Sequence, residues 1–285
     1  MTIRQIATEI RQQLTGLYPA TELESFIRIL FRHYLNMTPT QVHLSQDSEP
    51  PAGIVQQIQT AIDELKKFCP IQYILGETEF YGLPFVVTSD VLIPRPETEE
   101  LVDWIVRGYD RDAMLSVIDV GTGSGCIAVS LAASFPNAKV WAVDISEAAL
   151  SVAQQNALKN KVKVMFLRED VLKNTLIGFE PASLDVVVSN PPYVTPSEKR
   201  QMLPNVLEFE PHTALFTPGE DPLIFFKRIA TFGVGCLKKG GKIFFETNEA
   251  FPAEVANILK QYGYSDIVSR KDINGKWRMV SATLF

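Results

Sequence analysis

Leu115-Ser116-Val117-Ile118-Asp119-Val120-Gly121-Thr122-Gly123-Ser124-Gly125 decides the fold. An apolar, β-branched run (Leu115–Val120) passes straight into three alternate glycines, and Cys126–Ser134 follows with helical composition. A strand that enters a helix through glycines opens a βαβ unit. Glycine lets the backbone turn tightly and approach a ligand, and the helix N-terminus adds N–H donors. The spacing is G-x-G-x-G, and Cys126 stands where a dinucleotide fold has its third glycine. That spacing counts against a nicotinamide dehydrogenase. A glycine turn alone is also compatible with a purely structural role.

Downstream the alternation continues. Lys139–Asp144, Val162–Leu167, Leu184–Ser189 and Lys242–Glu246 read as strands, and Glu147–Asn160 reads as a helix. Strand–helix alternation predicts an α/β fold, a mostly parallel sheet with helices on both faces. Asp266–Arg270 and Trp277–Leu284 flank Asn274-Gly275, a strong hairpin signal, so the last two strands are expected to pair antiparallel. Asp144 ends the second strand, about twenty residues beyond the glycines, where a carboxylate accepts hydrogen bonds from ribose hydroxyls. A helix-capping role for the segment after Ser146 is the competing reading. Asp170 ends the third strand, where it could accept an adenine amino group with Val171 packed on the ring. A solvated acid in a turn is its alternative.

Upstream, residues 1–75 form a helical N-terminal domain. Ile3, Ile6, Ile10, Leu14 and Leu17 make one stripe, Phe26, Ile27, Leu30, Phe31 and Tyr34 a second, and Ile54, Ile58, Ala61, Ile62 and Leu65 a third. Thr21 with Glu24 reads as a capping box. A small bundle follows, and its mixed-sign polar faces favour core packing over a membrane surface. Residues 76–93 read as a hairpin linker around Phe80-Tyr81-Gly82, and 94–285 as the main domain. Pro96, Glu97 and Glu99 suit the first turn of a helix.

Asn190-Pro191-Pro192-Tyr193 follows the fourth strand, at the sheet edge where ligands bind in open α/β folds. Two prolines fix φ twice and remove two backbone donors. The loop is stiff and rich in acceptors, so it suits an –NH2 group. A proline-rich turn is the plain alternative. His212, in the following loop, lacks a partner acid and reads as structural. Glu246, at another strand edge, reads as a supporting group or a helix cap.

The net charge of −6, from 27 basic and 33 acidic residues, argues against broad DNA binding, which needs a basic face. Three scattered cysteines and three scattered histidines give no metal-ligand spacing, so no metal is expected. The cysteines fit a reduced compartment, and no signal or membrane-spanning run is visible, so a cytoplasmic location is expected.

With these residues in view, the chain resembles a known family. The glycine loop with Asp144 is similar to the S-adenosylmethionine site of Rossmann-like methyltransferases. Asn190-Pro191-Pro192-Tyr193 resembles the loop of enzymes that methylate planar –NH2 groups. Pro70 through Gly76, Phe80-Tyr81-Gly82, Ile93 through Glu99, Asp119 through Ala128 and Phe209-Glu210-Pro211 resemble the HemK-type protein-glutamine methyltransferases. The resemblance runs over nearly the whole chain. It implies methyl transfer to the glutamine of the GGQ loop in class I peptide chain release factors, with S-adenosylhomocysteine as product. It implies cofactor contacts from Gly121, Thr122, Gly123, Ser124, Gly125, Asp144, Asp170, Val171 and Asn190. It places the target amide on Asn190, Pro191, Pro192 and Tyr193, with Arg95 nearby, and the helical domain as the docking candidate. The chain departs from the family at Pro222 after Asp221, at Asn248 in Glu246-Thr247-Asn248, and at Val171, where an aromatic is common. A glutamine methyltransferase for a ribosomal protein, an amino-methyltransferase for nucleic acid and a non-enzymatic binding protein are the alternatives.

Overall fold

Hydrophobic stripes at three- and four-residue steps become helices at the start of the chain. The structure, a computed structural model, describes residues 1–173, 178–201 and 204–285. Helix α1 (Ile3–Leu14) buries Ile3, Ile6, Ala7, Ile10 and Leu14. Helix α2 (Ala20–Leu35) buries Leu23, Phe26, Ile27, Leu30 and Phe31. After the short α3 (Pro39–Leu44), α4 (Ala52–Leu65) adds Ile58, Ala61, Ile62 and Leu65 to the same core. Leu17 lies beyond the end of α1 and is exposed. The expected Thr21–Glu24 capping box does not form. Helix α2 starts at Ala20, behind Pro19, and Glu24 instead accepts two bonds from the Arg11 guanidinium at 2.6 and 2.9 Å. Capping boxes stand at Thr2–Gln5 and Thr38–Gln41. Helix α5 (Ile71–Leu75) ends on Gly76 in the left-handed region, and Met1–Gly76 is one compact unit.

The second unit, Glu77–Phe285, begins with the hairpin β1 (Glu77–Phe80) and β2 (Leu83–Val86). Its two-residue turn, Tyr81-Gly82, has positive φ at both positions. Helix α6 (Pro96–Val106) has proline in its first turn and two acids beside it. Then come β3 (Ser116–Val120), α7 (Cys126–Ser134), β4 (Lys139–Asp144), α8 (Glu147–Lys159), β5 (Met165–Arg168) and β6 (Leu184–Ser189). A 3-10 turn (Pro196–Gln201) and helices α9 (Pro204–Phe209) and α10 (His212–Leu215) lead to α11 (Ile224–Cys236). The chain closes with β7 (Leu237–Glu246), α12 (Pro252–Gln261), β8 (Tyr264–Lys271) and β9 (Trp277–Leu284).

The sheet order is β5-β4-β3-β6-β7-β9-β8. Strands β5 through β7 are parallel, and β9 is antiparallel to both its neighbours. The central parallel strands β3 and β6 are buried on both faces, which is why they read as largely apolar runs. Val186 and Val188 join one apolar layer, Leu184 and Val187 the other. Helices α11 and α12, unmarked in the sequence reading, cover the second layer with Phe226, Ile229, Val255 and Leu259. Strand β7 starts five residues before Lys242, across a register irregularity opposite Leu184–Val186. From β3 the chain moves outward through β4 to β5, then returns on the other side of β3 as β6. The crevice at that switch point lies beyond the carboxyl ends of β3 and β6.

The hairpin expected as a linker packs into this unit. Phe80 and Phe85 meet edge to face at 5.8 Å in the core shared by α6, α7 and β3. Asn156, fully buried on α8, pins it. Its Oδ1 accepts from the Val86 N–H at 2.6 Å, while its Nδ2 donates to the carbonyls of Val86 and Ser124, both at 2.9 Å. Replacing Asn156 by Ala strands a buried donor and two carbonyls, which costs about 2–4 kcal/mol. Urea unfolding should show a lower midpoint at unchanged slope, and a shift under about 0.5 kcal/mol would refute the clamp.

Candidate active site

Three loops meet at the switch point. The first follows β3. Its Gly121 and Thr122 N–H groups both donate to the Val143 carbonyl, at 2.8 and 3.0 Å, which ties the loop to the end of β4. Gly121, Gly123 and Gly125 have φ of 75°, 54° and 79°, so each needs glycine's freedom. Asp144 stands where β4 ends. Its Oδ2 accepts from the Gly123 N–H and its Oδ1 from the Ser146 N–H, both at 2.9 Å. The helix-capping role weighed for Asp144 falls to Ser146, whose Oγ accepts from the Ala149 N–H. Burial raises the Asp144 carboxyl above its ordinary range, and the bonds from Ser146 and Gly123 oppose that rise. Behind the loop, Asp119 is fully buried and accepts from the Thr122 hydroxyl at 2.6 Å. Burial pushes its carboxyl up to about 7.

The second loop follows β5. Asp170 Oδ1 accepts from the Leu172 N–H at 3.0 Å, and its Oδ2 lies 3.3 Å from the Lys173 ammonium. The carboxylate closes a turn and also lines the cavity beside Val171. The third loop follows β6. The Ser189 hydroxyl donates to the Val120 carbonyl at 2.6 Å, so the ends of β3 and β6 are locked together. Asn190, Pro191 and Pro192 then face the same cavity as Gly121–Ser124, Asp144 and Asp170. The cavity measures about 580 Å³, within the range that holds cofactor-sized ligands.

Two expected site residues stand elsewhere. Gly125 does not line the cavity. It is the N-cap of α7, where a Cβ would stand 2.9 Å from the Cβ of Ala153 on α8. Its smallness serves helix packing. Tyr193 does not line the cavity either. Its half-buried ring packs on the apolar layer that holds Phe226 and Phe245, and burial pushes the phenol up to about 12. Arg95 lines the cavity at the N-cap of α6 and is engaged by Glu210, with Nη2 at 2.6 and 2.7 Å from its two oxygens. That ion pair ties the segment before α10 to the start of α6. His212 forms part of the wall, with Nε2 3.0 Å from the Leu207 carbonyl and its ring edge-on to Phe216.

One arrangement gives Glu246 the supporting place expected for it and adds a residue the sequence reading did not single out, Thr98. Asn190 Nδ2 donates to Thr98 Oγ1 at 3.2 Å, and Thr98 Oγ1 donates to Glu246 Oε2 at 2.6 Å. Thr98 and Glu246 are buried. Burial pushes the Glu246 carboxyl up to about 7, with the Thr98 hydroxyl opposing. The available signal was register: Ser189 lies opposite Phe245, so consecutive parallel strands end with Asn190 and Glu246 side by side.

Residues 105–225 match the family described as Methyltransferase small domain, and residues 5–76 match the PrmC N-terminal domain. A release factor glutamine methyltransferase of Flavobacterium psychrophilum is 40% identical over 283 residues, covering 98% of both chains. One from Bacteroides thetaiotaomicron is 42% identical over 280 residues, covering 98% of this chain and 99% of the relative. Among solved structures, a methyltransferase from Pyrococcus furiosus aligns with a TM-score of 0.52 at 18% identity, over 79% of this chain and 96% of that one. The likeness at that identity is one of fold.

Gly125→Ala imposes two penalties. The left-handed φ costs about 1–2 kcal/mol, and the overlap with Ala153 adds roughly 1–3. Thermal unfolding of the single variant and of Gly125→Ala with Ala153→Gly separates them. The second change should recover only the overlap part, and full recovery would discount the φ requirement.

Proposed function

The chain belongs to the release factor glutamine methyltransferase family, and from that premise we propose that it transfers a methyl group from S-adenosylmethionine to the side-chain amide nitrogen of the GGQ-loop glutamine in class I peptide chain release factors. The observation that carries the reading is Asn190. Its NH2 donates to Thr98 and to the Glu246 carboxylate, which leaves Oδ1 as the polar atom for a guest in the cavity shared with the glycine loop.

The residues present fit the cofactor. Each Asp144 oxygen takes one N–H bond and keeps acceptor capacity for a ribose hydroxyl. Ile145, Val171 and Leu172 offer an apolar surface for adenine beside the Asp170 carboxylate. Gly121, Thr122, Gly123 and Ser124 bring backbone close to the ligand without bulky side chains. Bound there, S-adenosylmethionine supplies an electrophilic methyl group carried on a sulfonium.

The chain's own residues make the amide a usable nucleophile. An amide nitrogen is poor because its lone pair is delocalised. Asn190 Oδ1 and the Pro191 carbonyl accept its two N–H bonds and hold it in one place. Neither proline has an N–H, so no backbone donor competes at that point. Both acceptors favour positive charge on nitrogen as the new bond forms, which is positioning plus electrostatic preorganisation. The proton leaves afterwards, so no strong base is needed at the nitrogen. Tyr193, with its ring in the apolar layer, serves to anchor the loop. The helical unit of residues 1–76 is the docking candidate for the release factor.

Asn190→Ala should lower kcat about a hundredfold, equivalent to roughly 3 kcal/mol, while cofactor affinity by calorimetry stays unchanged. Asp144→Ala should do the reverse and weaken cofactor binding first. Mass spectrometry of release factor treated with protein and cofactor reads the product as one methyl on the GGQ glutamine. Near-normal turnover by Asn190→Ala would remove Asn190 from the mechanism, and methylation elsewhere would overturn the substrate.

A further inference from the structure

Asn190 can serve as an acceptor only if its carboxamide keeps one of two orientations. The groups are nearly isosteric, and a flipped amide presents two N–H donors to a substrate that itself donates. We propose that Thr98 and Glu246 are positioning residues that hold the Asn190 carboxamide in its acceptor orientation and place a buried carboxylate behind it. This rests on the assignment of Asn190 as the amide acceptor.

The geometry dictates the polarity of the relay. An ionised carboxylate only accepts, so Glu246 Oε2 takes the single hydroxyl proton of Thr98, at 2.6 Å. The lone pairs of Thr98 Oγ1 must then receive a donor. Among the described residues the Nδ2 of Asn190 supplies one, 3.2 Å away. The three groups come from different elements: Thr98 from the first turn of α6, Glu246 from the end of β7, and Asn190 from the end of β6. Thr98 and Glu246 are 2% and 4% exposed, so their bond is held away from bulk solvent. The relay also carries charge. Polarised hydrogen bonds in series pass the carboxylate's field to Asn190 Oδ1, the atom that meets the developing positive charge.

The relay depends on the charge of Glu246. Burial brings this carboxyl into the neutral pH range. Glu97 on α6 opposes its ionisation, and Arg278 on β9 favours it, alongside the bonds from Thr98 and Asn190. Tyr193 and Cys126 also feel its charge, and burial holds both neutral. Above about pH 7 the carboxylate locks the relay. Below it, a neutral carboxyl can donate to Thr98, which frees the Thr98 proton for Asn190 Oδ1 and permits the flip. Loss of the Thr98 hydroxyl removes a donor to the charged form and raises the pH at which Glu246 ionises.

The test compares Thr98→Val, Thr98→Ser, Glu246→Gln and Asn190→Ala in the full-length protein, with intact release factor as substrate. Thr98→Val should lower kcat about tenfold or more, leave KM and cofactor affinity nearly unchanged, and move the acidic limb of the rate profile upward. Thr98→Ser should restore both, and Glu246→Gln should flatten that limb. The side-chain amide resonances of Asn190, followed by NMR without cofactor, should shift with pH near neutrality in the wild type and not in Glu246→Gln. Wild-type kcat and pH profile in Thr98→Val, or Asn190 resonances that do not move, would overturn the relay while inactive Asn190→Ala preserves the acceptor. Active Asn190→Ala would overturn the acceptor itself.

Discussion

The parallel pairing of β3 with β6 is the constraint on which the rest depends. Val117, Ile118 and Asp119 sit opposite Val186, Val187 and Val188, and the Ser189 hydroxyl closes the ladder on the Val120 carbonyl. Both strands are buried on both faces, so a slip of one residue would exchange their apolar layers. It would also carry Asn190 away from the glycine loop. The register that satisfies the core is thus the register that assembles the site. No loop residue has to find its neighbour alone, because two strand ends deliver them together.

Carboxylates gather around this junction. Asp119 and Glu246 are fully enclosed, and Asp144 takes backbone donors on both oxygens. Each is drawn from a different strand end, and burial raises all three above their ordinary range. Such a cluster disfavours its own ionisation and favours positive charge nearby. A cationic ligand and a reaction that builds positive charge on nitrogen both benefit. The acidic balance of the whole chain points the same way, but the local arrangement is what gives the charge an address.

The mostly parallel sheet and its antiparallel ending were legible because apolar periodicity and turn chemistry are local signals, whereas the order of strands came only from the completed structure. Helix α7 follows the glycines over the expected Cys126–Ser134, and Asn274-Gly275 turns between β8 and β9. Most of the expected site residues meet in one cavity. Gly125 and Tyr193 fall outside the cavity wall for a common reason: their neighbours in space, Ala153 and the Phe226 layer, are distant in sequence. Thr98 was hidden in a first helical turn, where acids and proline explain the composition. Its partner Glu246 lies 148 residues away, and only the completed sheet brings them within a hydrogen bond. The Pro19 start of α2 beat the capping box because Arg11 offered Glu24 a better partner than a backbone N–H.

The Asn156 clamp has an evolutionary reading. Through one carboxamide, the β1–β2 hairpin and the glycine loop share hydrogen bonds, so the hairpin travels with the catalytic unit. A recombination joint placed after the hairpin would separate Val86 from the residue that satisfies both its backbone groups. Gly76, the terminal cap of α5, closes the helical unit, and Val86 and Asn156 both lie in the unit that begins at Glu77. The piece that must be inherited whole therefore begins at Glu77, with the hairpin inside it.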